Sequence, residues 1–338
     1  METRLLGDTG LRVSALSFGA MSFGGVGGFA AVAAQEGDEA RALVAQCIDA
    51  GVNLFDTADI YSAGRSEEIL GRALGERRRD VLVATKLHAR MSDEPNDVGL
   101  SRQHIVRACE ASLKRLGTDW IDLYQAHGFD ALVPVEETAR AFEDLVRAGK
   151  VRYVGCSNFS GWQLMKALAA SARLGVARYQ SLQAYYSLVA RELEHELLPA
   201  CRDQNVGVLV WSPLAFGLLG GRYRRGEPLP EGARVAQWGT PGGALDEARW
   251  AVVDEVRRVA EARGVSSAQV ALSWLVGRRG VTSVIVGARD ARQLADNLRA
   301  AEWSLSPEER AALDRVSERP LPYPYWHQRQ YNRERMPE

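Results

Sequence analysis

Much that would assign a protein quickly is scarce or missing from this sequence. Its four cysteines, Cys47, Cys109, Cys156 and Cys201, are scattered over 338 residues with no CxxC. That pattern excludes a disulfide framework and a zinc site and leaves reduced core or half-buried thiols. No run approaches the roughly eighteen apolar residues of a membrane helix. The amino terminus carries Glu2 and Asp8 where a secretory leader would have a basic start and an apolar stretch, so a cytoplasmic location is expected. Neither sign of charge is in excess: 42 basic and 43 acidic residues leave a formal charge of −1. Without a broad field, neither nucleic acid nor an anionic membrane is expected as partner, and small-molecule chemistry is the default. The one basic cluster, Arg77-Arg78-Arg79, closes a helix before a strand and reads as a solvated helix end. Proline is limited to 12 residues while hydrophobic residues reach 46%, enough for a large core and too many for a disordered chain.

What is present is alternation. Short apolar runs recur between longer amphipathic segments, as a parallel sheet with crossover helices requires. Eight pairs can be counted, with strands predicted at Leu16–Gly19, Asn53–Asp56, Val81–Lys86, Ile121–Gln125, Val151–Cys156, Ser181–Gln183, Val206–Trp211 and Ser283–Val286. Their continuous apolar character suits strands covered on both faces. Helices are predicted at Glu39–Ala50, Ser66–Gly75, Ser101–Leu116, Val135–Ala148, Gly161–Ala172 and Ala248–Arg263, several ended by glycine. Ahead of the first strand, Arg4–Leu6 and Leu11–Val13 flank Gly7-Asp8-Thr9-Gly10 and predict a β-hairpin that plugs one barrel end. The expected architecture is a (β/α)8 barrel forming one domain over residues 1–338. Pro213–Leu245 and the tail from Arg319 are expected to be loops, the former functional because it follows the seventh strand on the face where barrels keep their active sites.

Gly25-Val26-Gly27-Gly28-Phe29-Ala30 matches GxGxxA after a strand and raises a Rossmann dinucleotide fold. The context opposes it. An Ala- and Gly-rich loop intervenes before the helix at Glu39, whereas the fingerprint needs its third small residue in the helix's first turn.

A stronger signal lies at the carboxyl ends of successive strands. Asp56 ends the second and Tyr61 follows it; Lys86 ends the third; His127 follows the fourth. Singly, such residues cap loops, pack or sit as satisfied polar groups. Together they form a proton-transfer set. A tyrosine with an ordinary pKa near ~10 is a poor acid at neutral pH, and a nearby ammonium favours its phenolate. Lys86 can supply that charge and Asp56 can hold the lysine.

The segments DTADIY with GRSEEILGRAL, VLVATK and DLYQAH resemble the aldo-keto reductase family, and the resemblance runs from Leu5–Ser14 to Val286–Asn297. Gln183–Leu188 and Trp211–Leu214 resemble the branch containing bacterial reductases and potassium-channel β subunits. This resemblance implies NADPH-dependent reduction of an aldehyde or ketone, with Tyr61 donating the proton and His127 orienting a small-molecule carbonyl substrate. It also implies an alternative, a NADP-binding regulatory subunit with incidental turnover. By the same resemblance Ser157, Asn158 and Gln183 hold the nicotinamide carboxamide, and Trp211 stacks on its ring. Met21, Asp56, Ser212, Pro213, Leu214 and Gly217 line the cofactor. Gly287 and Arg289 receive phosphate, with Gln293 and Asn297 at the adenine. Arg222 and Arg234 are expected to close over the phosphates, while Asp296 stands where relatives commonly carry glutamate. Phe23, Phe29, Phe129, Trp162, Tyr186, Trp238, Tyr323, Tyr325 and Trp326 are expected to wall the substrate pocket.

Overall fold

Eight largely buried strands close on one another in the computed structural model, which describes residues 1–29, 35–229, 235, 239, 245–331 and 335. The strands are β3 (Leu16–Gly19), β4 (Leu54–Asp56), β5 (Leu82–Leu87), β6 (Ile121–Ala126), β7 (Val151–Ser157), β8 (Tyr179–Tyr185), β9 (Gly207–Trp211) and β10 (Val281–Val286), all paired in parallel. Val284 opposite Leu16 and Val286 opposite Phe18 close the barrel. Among the described residues the sheets are this barrel and a two-stranded hairpin, with no doubly wound sheet, and Gly27–Phe29 makes a single 3-10 turn.

The hairpin strands β1 (Thr3–Leu5) and β2 (Arg12–Ser14) lie outside the barrel sheet. Leu6 and Val13 are fully buried against Leu54, Ala84, Leu123, Leu209 and Ile285, so the hairpin plugs the amino-terminal end. Gly7 is needed there: its φ is +59°, and a Cβ would lie 2.3 Å from the Gln180 carbonyl oxygen.

Strand alternation positions the site. Residues two apart share a face, so the side chains that form the apolar floor, Leu54, Ala84, Leu123 and Leu209, share the barrel interior with Asp56, Lys86, Gln125 and Trp211 one step further along. The larger core packs the outer strand faces against the helices, among them α1 (Gly37–Asp49), α2 (Arg65–Leu74), α3 (Arg102–Leu116), α4 (Val135–Arg147), α5 (Gly161–Leu174) and α6 (Leu197–Asp203). All four cysteines are buried there as thiols, and burial pushes Cys109 and Cys201 up to about 12.

Several expectations are corrected. The tail is not all loop: Tyr325–Tyr331 is helical, its first turn begun by prolines, whose fixed φ suits a helix start, with the Tyr325 and Gln328 N–H groups donating to Pro322 and Pro324 carbonyls. Pro213–Leu245 opens with a 3-10 segment, Ala215–Gly220, that buries Leu218 and Leu219. Within Arg77–Arg79 the middle residue is buried: Arg78 pairs with Asp122 at 2.7 Å and lies over Trp120. Further helices lie at Leu197–Asp203, Ser267–Val276 and Pro307–Val316. No helix among the described residues is long and apolar enough to cross a membrane.

Candidate active site

Lys86 is the organising charge. It is fully buried, and its Nζ donates to Asp56 Oδ1 at 2.6 Å and to the Thr57 carbonyl at 2.8 Å. Its third direction faces the Tyr61 hydroxyl at 3.5 Å. Burial opposes the ammonium, but Asp56 and Tyr61 outweigh it and raise the lysine's pKa, so Lys86 stays charged. Asp56 Oδ2 accepts from Gln183 Nε2 at 2.8 Å and from Gln125 Nε2 at 3.3 Å. Both lone-pair faces of the carboxylate are thereby engaged, which offsets part of the cost of burying the pair.

Tyr61 opens a one-turn segment, Tyr61–Gly64, in which Ser62 and Ala63 have φ of 49° and 53°. Left-handed conformations in non-glycine residues need outside support. Ser62 Oγ provides it, donating to the Phe23 carbonyl and accepting from the Gly25 N–H, each at 3.0 Å. Burial raises the Tyr61 pKa and the Lys86 ammonium only partly opposes this. The expectation that lysine yields a phenolate is therefore modified: the hydroxyl holds its proton, with a cation ready to stabilise the anion once that proton leaves. The His127 ring meets the Tyr61 ring edge-on at 5.9 Å. Burial, with Lys86 and His88 nearby, depresses the histidine to about 3, so it is neutral and able to donate or accept a hydrogen bond.

A cleft of about 660 Å³ opens above these groups. Ser157 and Asn158 lie on its wall and do not cap the helix that follows, since α5 is capped at Ser160, whose N–H donates to Gln163 Oε1 at 2.8 Å. Asn158 Nδ2 instead donates to the His127 carbonyl and to Ser157 Oγ, each at 3.0 Å, while its Oδ1 accepts from Trp211 Nε1 at 3.1 Å. Trp211 stacks on Tyr185, ring centres 4.9 Å apart. Met21, Ser212, Pro213, Leu214, Gly217, Arg222, Gly287, Arg289, Gln293 and Asn297 all line the same cleft. Arg234 and Trp238 lie outside the described residues.

The wall after β10 is braced from three sides. The Arg289 N–H donates to Gln293 Oε1 at 2.8 Å, Asn297 Nδ2 to the Gly287 carbonyl at 3.2 Å, and Gln35 Nε2 to the Arg289 carbonyl at 2.8 Å. Asn297 Oδ1 is buried in this wall with no partner among the described residues. Asp296, where a longer glutamate was the family expectation, lines the cleft with its oxygens accepting from Ser266 Oγ and Gln269 Nε2, each at 2.6 Å. A cleft that brings together arginines, amide side chains and an orphaned acceptor fits a dinucleotide.

Sequence reasoning missed Gln125, Gln35, Phe216 and Tyr223. Gln125 was legible, since it shares a strand face with Leu123; the others are brought to the site by loops. Of the expected aromatic walls, Phe29 lines the cleft. Phe23 and Tyr186 are fully buried core, Tyr186 being hydrogen-bonded to Glu194, because their chain segments pass behind the rim. Phe129 packs on Phe159 and Trp162 away from the cleft lining, and Tyr325 stacks on His195.

The profile of the Aldo/keto reductase family matches residues 15–318. The chain belongs to the aldo/keto reductase family. Its relatives include the Bacillus subtilis oxidoreductase YrpG, 40% identical over 321 residues, covering 91% of this chain and 93% of the relative. A probable voltage-gated potassium channel subunit beta of rice (Oryza sativa) is 39% identical over 310 residues, 89% of this chain and 92% of that one. The versiconal hemiacetal acetate reductase of Aspergillus parasiticus is 34% identical over 329 residues, 91% and 95% of the two chains. As a member of this family the protein is an oxidoreductase of the carbonyl-reducing, nicotinamide-using kind.

Proposed function

We propose that this aldo/keto reductase reduces an aldehyde or ketone to an alcohol with NADPH, Tyr61 supplying the proton. The observation that carries the reading is the buried series from Asp56 through Lys86 to the Tyr61 hydroxyl, ending beside a neutral His127 at the cleft. When bound, the nicotinamide supplies the hydride to the carbonyl carbon. Tyr61 gives its proton to the carbonyl oxygen, and the Lys86 ammonium stabilises the phenolate that remains. His127, uncharged at neutral pH, donates a hydrogen bond to the same oxygen and orients it. Gln183, Asn158 and Ser157 would hold the carboxamide, Trp211 would support the ring, and Arg289 and Arg222 would take the phosphates, Arg289 suiting a 2′-phosphate through its planar fork.

The named kinship with channel β subunits supports a second reading, a cofactor-binding regulatory subunit, but an assembled proton-donating site favours turnover. Following NADPH absorbance over a panel of aldehydes and ketones tests the proposal: consumption that depends on the carbonyl substrate is expected. Absence of consumption across the panel, with a stoichiometric protein partner recovered in a pulldown, would favour the regulatory reading instead.

A further inference from the structure

We infer that Phe29 selects the substrate, favouring an uncharged carbonyl compound with an apolar aromatic or branched face over a carboxylate-bearing or polyhydroxylated one. The inference rests on the reductase reading above and adds the substrate class to it.

Phe29 stands against the proton donor itself. Its ring meets the Tyr61 ring edge-on, centres 5.4 Å apart at 63°, while His127 approaches that ring at 79°. A carbonyl oxygen that reaches the Tyr61 hydroxyl therefore brings the rest of its molecule alongside Phe29, which is half-buried and lines the cleft. The placement is built in rather than incidental. The segment leading to Phe29 is tied to the Tyr61 segment by Ser62 Oγ, which bridges Phe23 and Gly25. Gly24 permits that approach: its φ is +105°, and a Cβ would fall 2.7 Å from Ser62 Cβ. On the other side the Gly24 N–H donates to the Gln35 carbonyl at 3.2 Å and the Gln35 N–H to the Ser22 carbonyl at 3.3 Å, which closes the base of the loop.

Charge argues for the class of ligand. Among the described residues the cleft-lining cations are Arg222 and Arg289, and in the reading above the cofactor's phosphates take both. Lys86 is engaged with Asp56 and Thr57, His127 is neutral, and Arg65, next along the Tyr61 loop, pairs with Glu36 at 2.6 Å. A carboxylate beside Phe29 would be desolvated without a described cation to meet it, and a polyol would turn hydroxyls onto aromatic rings; both are costly. An apolar face gains from the same rings.

The test compares kcat/KM of wild type, Phe29→Ala and Phe29→Leu on benzaldehyde, para-carboxybenzaldehyde and glyceraldehyde, with NADPH affinity and melting temperature measured on each. Wild type should prefer benzaldehyde to its carboxylated counterpart by about tenfold or more, and Phe29→Ala should cut the benzaldehyde-to-glyceraldehyde ratio by about tenfold, the scale of lost apolar pocket contacts. Phe29→Leu should recover part of that ratio. A ratio unmoved in Phe29→Ala, or a wild type that prefers the carboxylated aldehyde, overturns the inference while leaving the reductase reading intact. Failure of wild type to turn over any aldehyde despite binding NADPH overturns the reductase reading, and this inference with it.

Discussion

Gln183 Nε2 donates to Asp56 Oδ2 at 2.8 Å, while Lys86 Nζ donates to Oδ1 of the same carboxylate at 2.6 Å. One buried aspartate thus links the lysine that faces Tyr61 to a glutamine proposed to hold the nicotinamide. Strands β4, β5 and β8 meet at this carboxylate, so the arrangement is also a structural joint of the barrel.

Breaking that joint on one side should cost stability as well as activity. Lys86→Met leaves Asp56 buried and unpaired, and a loss of about 3–5 kcal/mol of stability is expected. Asp56→Leu/Lys86→Met removes both charges and should regain a large share. Urea unfolding of the three proteins checks this; a double variant no more stable than Lys86→Met would show that the pair's burial is not the source of the cost.

Removing one oxygen from Tyr61 should leave the fold alone. Tyr61→Phe keeps the edge-on contacts with Phe29 and His127 and is expected to bind NADPH normally while turnover falls ~10²–10⁴-fold. Steady-state rates on the best substrate, with cofactor titration by fluorescence, make the comparison. Retention of more than about a third of the wild-type rate, where general-acid loss should cost far more, would require another acid.

Asp59 should make stability depend on pH. Its carboxyl is fully buried and neither oxygen has a partner among the described residues; burial, then the nearby Glu67, push it up to about 8. The folded state therefore holds a proton that the unfolded chain releases near ~3.9. Its contribution to stability is present below that value and is lost as pH rises toward 8. Asp59→Asn should be the more stable protein at pH 8 and above, with the gap narrowing on acidification. Parallel melting curves across that range decide it, and a gap that does not change with pH would refute the assignment.

Arg289→Ala should narrow a preference for NADPH over NADH by the worth of a charge-assisted contact, roughly 1.5–3 kcal/mol. Gln35→Ala should move the preference the same way by less, because Gln35 only anchors the Arg289 carbonyl. Titration of both cofactors against all three proteins is the measurement. Equal losses for NADH and NADPH, or a wild type that prefers NADH, would remove Arg289 from the role.

The barrel and its strand-end residues were legible in the sequence for a local reason. Alternation of side chains along a strand and apolar continuity across a buried one are properties of a few consecutive residues, so all eight strands and the positions of Asp56, Tyr61, Lys86 and His127 could be read directly, with boundaries shifted by a residue or two. The family motifs then carried Ser157, Asn158, Trp211 and Arg289 to the cleft they line. What the sequence could not reveal depends on which distant segments meet. Phe23 and Phe29 are six residues apart in one loop, yet one is core and the other faces the cleft, because the bridge to Gln35 and the Ser62 hydrogen bonds turn the chain between them. Arg78 looked like a solvated helix end until Asp122 and Trp120, brought in by β6 and the turn before it, closed around it. Asp59 sits in the same six-residue motif as Asp56, and only the packing of α2 and α3 separates them: Asp56 receives Lys86 and two amides, while Asp59 is left to burial and the neighbouring carboxylate of Glu67. Local pattern determined which residues reach the rim of the barrel; long-range packing, by setting solvent exposure and the nearest charge, decided what each of them does there.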